Sequence, residues 1–216
     1  MPAVQFRTRV VWRNTQIWPA SSRRFRVPRA IGANDVRVPI YVSANQMQRL
    51  APSRTIAVVA GLTEADVAWR FDDIRRQWQQ LPPAPGTAPR WQFQGGVVHL
   101  ELSLALYVAE GFRRFPQILS TIMEHELLHV VDELQVLSQE LVAAAQRNPT
   151  VRRYLTEGTP MLDRQYQSWV PGDRFTVVLR EEIWAPLHNR RARARDSGPG
   201  WEAYRRRIDE LMRGTR

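Results

Sequence analysis

His125-Glu126-Leu127-Leu128-His129 decides the reading of this 216-residue chain, because it sets two imidazoles and a carboxylate within five positions. Histidines four apart on a helix share one face, about 6 Å apart along the axis, so both rings can reach a single divalent cation. Glu126 lies beside them, placed to take a proton from a water that such an ion acidifies. That combination is the chemistry of metal-assisted hydrolysis.

The flanking residues predict that the motif is helical. Pro116 suits the first turn of a helix, and residues 117–124 run into the motif without a breaker. Leu119, Met123, Leu127, Val130, Leu134, Leu137 and Leu141 recur at steps of three and four. They form the buried back of an amphipathic helix and leave the histidines on another face. A core helix with two satisfied histidines is the plain alternative. It is weaker, because adjacent half-buried His and Glu side chains would each need polar partners.

Composition narrows the class. An apolar content of 44% with eight tryptophans indicates a packed globule. Residues 1–216 are expected to form a single domain with a basic helical tail from about 190. No run approaches the eighteen or so apolar residues of a membrane span, and residues 1–7 carry no apolar leader, so the cytoplasm is the default expectation. Cysteine is absent, which excludes disulfides, thiolate metal sites and cysteine nucleophiles. Any metal must sit on imidazole and carboxylate.

The net charge is +10 and every basic residue is arginine, concentrated at 190–195 and 205–207. Such clusters suit a polyanion, including nucleic acid. A GC-rich bacterial genome writing arginine for lysine on solvated helix faces is the preferred explanation, since aromatics are not interleaved with these runs as a stacking platform requires.

Along the chain, 4–12 alternates as a strand, 19–34 is a basic loop, and 36–42 alternates around Pro39, which favours a sheet edge. Residues 54–60 form a short apolar strand ended by Gly61. Thr63 is a helix N-cap, with Val67, Phe71, Ile74, Trp78 and Leu81 on one face of the helix it starts. A hairpin turning at Gly95-Gly96 joins 91–94 to 97–108, whose Val98, Leu100, Leu102, Leu104 and Leu106 share a face. If its edge is free, this strand can pair with an extended peptide. The motif helix continues unbroken from 116 to 147. Helices follow at 150–157 and 161–169, a last strand at 174–179, and helices at 180–189 and 201–213. Strands early and helices late predict an α+β fold, with a small mixed or antiparallel sheet.

Catalytic zinc on two histidines needs a third protein ligand and an open position. The motif His125-Glu126-Leu127-Leu128-His129 resembles that of the zincin metallopeptidases, and Tyr154-Leu155-Thr156-Glu157-Gly158 resembles the downstream Glu-Gly element of their gluzincin branch. The resemblance implies a zincin-like fold, a zinc cofactor, a peptide or protein substrate, and Glu157 as third ligand. Geometry bears on that assignment. A straight helix from His129 to Arg147 climbs about 27 Å, and eight helical residues from Pro149 return only about 12 Å, so Glu157 reaches the ion only if the first helix bends or ends early, near Ser138. With a straight helix Asp163 comes closer, and Gly158-Thr159, Asp163 and Tyr166 resemble the Gly-Thr-x-Asp-x-x-Tyr element of the aspzincins with two residues inserted. Glu181, Glu182 and His188 stay open as alternatives. Asp132 is better suited to orient His129 than to bind metal.

These residues imply a zinc-dependent hydrolase, most readily a peptidase, with Glu126 as general base and Tyr166 or His188 supporting the oxyanion. Two rivals stand beside it. One is an inactive zincin-like binding or effector module, and the other a nucleic-acid-associated protein working through its arginine-rich tail.

Overall fold

Alternation of apolar and polar residues makes the long strands here, and an abrupt change to three-and-four spacing after Pro116 makes the helices. The computed structural model describes residues 3–32, 35–51, 60–83 and 85–214. Strands and short helices come first: β1 (Ala3–Trp12), β2 (Ile40–Val42), α1 (Ala44–Leu50), β3 (Gly61–Phe71), α2 (Ile74–Gln77), β4 (Trp78–Leu81), β5 (Arg90–Phe93) and β6 (Gly95–Ala109). Helices dominate afterwards: α3 (Pro116–Gln135), α4 (Val142–Arg147), α5 (Pro149–Val151), the two-residue β7 (Met161–Leu162), α6 (Asp163–Trp169), α7 (Arg174–Val178), α8 (Ala185–Arg195) and α9 (Pro199–Arg213). The architecture is α+β, with its C-terminal part helical. None of the helices is long and apolar enough to cross a membrane, among the described residues.

The chain divides into two compact units where the sequence predicts one domain with a tail. The first comprises the described residues of Met1–Val11, Asp66–Leu102 and Gln135–His188; the second, those of Trp12–Ala65, Ser103–Leu134 and Asn189–Arg216.

In the first unit β4, β5 and β7 form an antiparallel sheet, with Trp78 opposite Phe93 and Trp91 opposite Met161. Its core is aromatic. Trp78 meets Phe93 at 5.4 Å and Tyr166 at 5.6 Å between ring centroids, and Phe175 stacks on Trp69 at 5.8 Å. Val98, Leu100 and Leu102 of β6 are fully buried.

In the second unit β2 runs parallel to the end of β6, with Ile40 opposite Tyr107 and Val42 opposite Ala109. Asn14 fastens this region. Its buried amide donates to Val38 O at 2.9 Å and Leu106 O at 3.0 Å and accepts from Leu106 N at 3.0 Å. Ser43 and Gln46 close a capping box at the start of α1. Ile118, Ile122, Met123, Leu127 and Val130 bury one side of α3 completely.

Several expectations are corrected. The helix predicted from Thr63 is instead strand β3, then a single turn, α2, and strand β4. The apolar residues there also obey period two, since Val67, Trp69 and Phe71 alternate, and aromatics on a sheet face outweigh a weak cap signal. The helix cap is Asp73, whose carboxylate accepts from Arg76 N. Gly95 and Gly96 do not turn a hairpin. β5 pairs with β4 and β7, whereas β6 pairs with β1, β2 and β3. Both glycines have positive φ, 111° and 128°, and a Cβ on Gly95 would lie 2.9 Å from Ala3 O, so they carry the chain from one sheet to another past a neighbouring backbone.

The strand predicted at 174–179 is helix α7, because Phe175, Val178 and Leu179 bury a helical face. The strand predicted at 36–42 shrinks to β2 plus an isolated bridge between Ile17 and Arg37, as Pro39 lacks a donor. The helix predicted as regular over 116–147 becomes π-helical at Val136–Leu141. The short strand expected at 54–60 lies, except for Ala60, outside the described residues.

Asn14→Ala should lower stability by about 2–3 kcal/mol, because it strands the buried N–H and C=O of Leu106. Urea denaturation will check this against the exposed control Arg24→Ala, expected within about 0.5 kcal/mol of the parent.

Candidate metal centre

Helix α3 buries an unusual set of polar side chains: His125, Glu126, His129, Asp132 and Glu133 are all under 10% exposed. Buried polar groups demand partners, and those of His125, Glu126, His129 and Asp132 lie within the second unit. The two imidazoles converge as the helical spacing predicts. Their Nε2 atoms stand 3.2 Å apart with the rings nearly perpendicular.

A third group joins them that the sequence did not reveal. Asp196, in the turn after α8, brings Oδ1 to 3.1 Å from His129 Nε2 and 3.5 Å from His125 Nε2. His125, His129 and Asp196 form the metal-competent group found among the described residues. Three ligand atoms on a tetrahedral zinc at about 2.0–2.1 Å stand about 3.3 Å from one another. The donor set and its spacing fit that ion.

Local structure explains how Asp196 arrives there. Asp132 lies one turn beyond His129 on α3, and its carboxylate takes both ends of the Arg195 guanidinium, with Nε at 2.8 Å and Nη2 at 2.7 Å. The bidentate pair fixes residue 195 and therefore the carboxylate of its neighbour. The hydrogen bond to Asp132 raises the Arg195 pKa; burial opposes the rise, and the negative charges of Asp132 and Asp196 add to it. Asp132, expected to orient His129, is thus the anchor of the third carboxylate's segment. Pro199 at the first turn of α9 starts the last helix immediately after this turn. On α9 Tyr204 stacks against the His125 ring at 4.2 Å and 14°, and Trp201 lies 5.2 Å away.

Glu126 is 3% exposed and accepts from Thr63 Oγ1 at 2.8 Å. Strand β3 comes very close at this point. A Cβ on Gly61 would lie 2.8 Å from Glu126 Oε1 and 2.5 Å from Ile122 Cγ2, so glycine is what permits the approach.

The other sequence-predicted candidates lie in the first unit. Glu157 pairs with Arg152 Nε at 2.8 Å. Asp163 accepts from Trp91 Nε1 at 2.7 Å, and Tyr166 stacks on Trp91 at 4.2 Å. Glu182 accepts from Asn148, Glu181 is exposed, and His188 stacks on Trp184 at 4.5 Å. The remaining histidine, His99, pairs with Asp72. The signal that could have found Asp196 is its position as the sole carboxylate between the arginine cluster and Pro199. Trp201, Tyr204, Ile208 and Leu211 likewise form an apolar stripe at helical spacing.

Comparison with known protein families, curated proteins and solved structures finds no match to this chain.

Replacing Arg195 by Met should cost about 2 kcal/mol in urea denaturation. A fully buried pair loses about 3–5 kcal/mol, but Arg195 keeps 32% of its side-chain exposure. Adding Asp132→Asn should recover much of that loss, and simple additivity would disprove the coupling.

Burial, reinforced by Asp163, holds the Tyr166 phenol above its ordinary value of 10.0. The folded state therefore binds this proton more tightly than the unfolded one. Its contribution is complete below about pH 10 and is lost as pH rises through the folded pKa. Stability should fall as pH rises above about 10, and fall less in Tyr166→Phe.

Proposed function

We propose that this chain is a zinc-dependent hydrolase of the zincin kind acting on peptide bonds, with His125, His129 and Asp196 holding the ion and Glu126 as general base. The observation that carries the proposal is the convergence of two Nε2 atoms and one carboxylate oxygen, with separations of 3.1–3.5 Å, on the face of a helix that carries a glutamate beside the first histidine. Two imidazoles and one carboxylate are a recurrent ligand set for catalytic zinc, which keeps a fourth position open.

When bound, the ion brings the pKa of a water toward neutrality and polarises a carbonyl oxygen. The chain's own residues do the rest. Glu126 accepts the proton of the attacking water and passes it to the leaving amine. Thr63 holds one oxygen of that carboxylate by a 2.8 Å hydrogen bond, fixing its rotamer. Tyr204 and His129 restrain the His125 ring by stacking and edge contact, so its lone pair keeps its direction.

Burial favours a second reading, a structural metal site. His125 and His129 are only 6% and 9% exposed, and Tyr204 covers one face of His125. A closed site of that kind would hold the ion without turning over substrate.

Equilibrium dialysis should find about one zinc per chain. Asp196→Ala should weaken binding at least about tenfold and Glu157→Ala should leave it unchanged; the reverse pattern would return the third-ligand role to Glu157. Glu126→Gln should keep zinc and lower peptide cleavage by roughly 10²–10⁴-fold. A protein that binds zinc but cleaves no peptide in a degenerate library, with or without Glu126, would be the closed structural site.

A further inference from the structure

The loop between β1 and β2 holds Arg23, Arg24, Arg26 and Arg29 within seven positions, a basic stretch that the candidate metal centre does not use. Arg23, Phe25, Val27, Pro28, Arg29 and Ile31 line a cavity of about 280 Å³ there. The Nη1 of Arg23 is buried and has no hydrogen-bond partner among the described residues. A guanidinium cannot shed its charge, so Arg23 keeps a fixed positive group beside the cavity. No acidic side chain lines the cavity among the described residues.

The cavity's walls are held in place. Trp18 meets Phe25 edge-on at 5.1 Å, Ile31 N donates to Pro28 O at 3.0 Å, and Arg26 N donates to Glu124 Oε1 at 3.0 Å. The last bond ties the loop to α3 at the residue before His125.

Size and lining indicate the occupant. The volume lies just below the range of about 300–1,000 Å³ typical of small-molecule pockets, so it suits a group no larger than an amino-acid side chain. Five of its seven lining residues, Ala20, Phe25, Val27, Pro28 and Ile31, are apolar, which suits an aliphatic or aromatic body. A carboxylate is matched by one guanidinium fork, and the apolar share of the wall favours one carried on an apolar body over inorganic phosphate. We propose that this pocket binds a carboxylate carried on a small apolar body. The inference does not rest on the hydrolase proposal, since it concerns binding at Arg23 and not turnover.

The test is a chemical-shift titration of the full chain, read at the Phe25 amide and the Arg23 side chain. The probes are butanoate, N-acetylglutamic acid α-amide, butanamide and inorganic phosphate. One carboxylate should bind saturably, butanamide should not, and Arg23→Gln should weaken binding at least about tenfold while Arg205→Gln leaves it unchanged. Val27→Trp, which fills the cavity and keeps Arg23, should abolish binding and carries the test if Arg23→Gln fails to fold. Tighter binding of the glutamate amide identifies a peptide side chain as the source, and tighter binding of butanoate a free organic acid. Saturation by phosphate alone, no binding by either carboxylate, or unchanged affinity in Arg23→Gln or Val27→Trp would overturn the proposal.

Discussion

Five buried ionisable side chains on a single helix impose the main constraint on the second unit. Each charge taken from water costs several kcal/mol unless it is paired or neutralised, so α3 cannot pack as it does without partners brought from elsewhere in the chain. Glu126 finds Thr63 on β3, Asp132 finds Arg195, and His125 and His129 face Asp196. The Asp132–Arg195 fork matters most. It is bidentate, and it delivers the following residue to the imidazoles at the same time. Apolar burial along Ile118, Ile122, Met123 and Leu127 secures the other side of the helix, so the polar face is held from behind as well as from in front.

What could be read in the sequence followed from how many independent signals agreed. At α3, a proline start, an unbroken apolar repeat and the pair of histidines all point to one helix, and the structure has it. β1 and β6 alternate from Val4 to Val10 and from Val98 to Val108, long enough to exclude a helical period. Between 61 and 81 the signals conflicted. Val67, Phe71, Ile74 and Trp78 fit a helical face, while Val67, Trp69 and Phe71 fit a strand, and only tertiary packing against Phe6 and Phe175 resolves the choice. The segment 174–179 failed in the opposite sense, because six residues are too few to separate periods when β-branched residues are present. Gly95-Gly96 signalled a hairpin, whereas the chain passes there from one sheet to another at positive φ.

The third carboxylate was hidden for a different reason. A ligand close in sequence is constrained by helical geometry, which is why the two histidines were legible and Glu157 could be weighed in ångströms along an axis. Asp196 lies 67 positions beyond His129, and only tertiary structure brings it back. Its approach is specified by an interaction between Asp132 and Arg195, and an arginine is not selected by ligand type. Arginines were read in bulk as a charged surface, yet one of them has a specific structural task.

The basic tail therefore divides by physical role. Arg205, Arg206 and Arg207 lie on the exposed side of α9, while Trp201, Tyr204, Ile208 and Leu211 are half-buried. Charges on that outer side are solvated and add to the net +10 without cost to packing. Arg195, Trp201 and Tyr204 instead dock the segment onto α3. Because the carboxylate facing the histidines belongs to this docked segment, an ion held there and the docking of the tail are linked equilibria. Any free energy by which the docked tail favours the ion must return, by reciprocity, as stabilisation of the docked tail when the ion is present. Linkage of this kind requires no movement of α3 itself, whose histidines are set by one helical turn and whose apolar side is already buried.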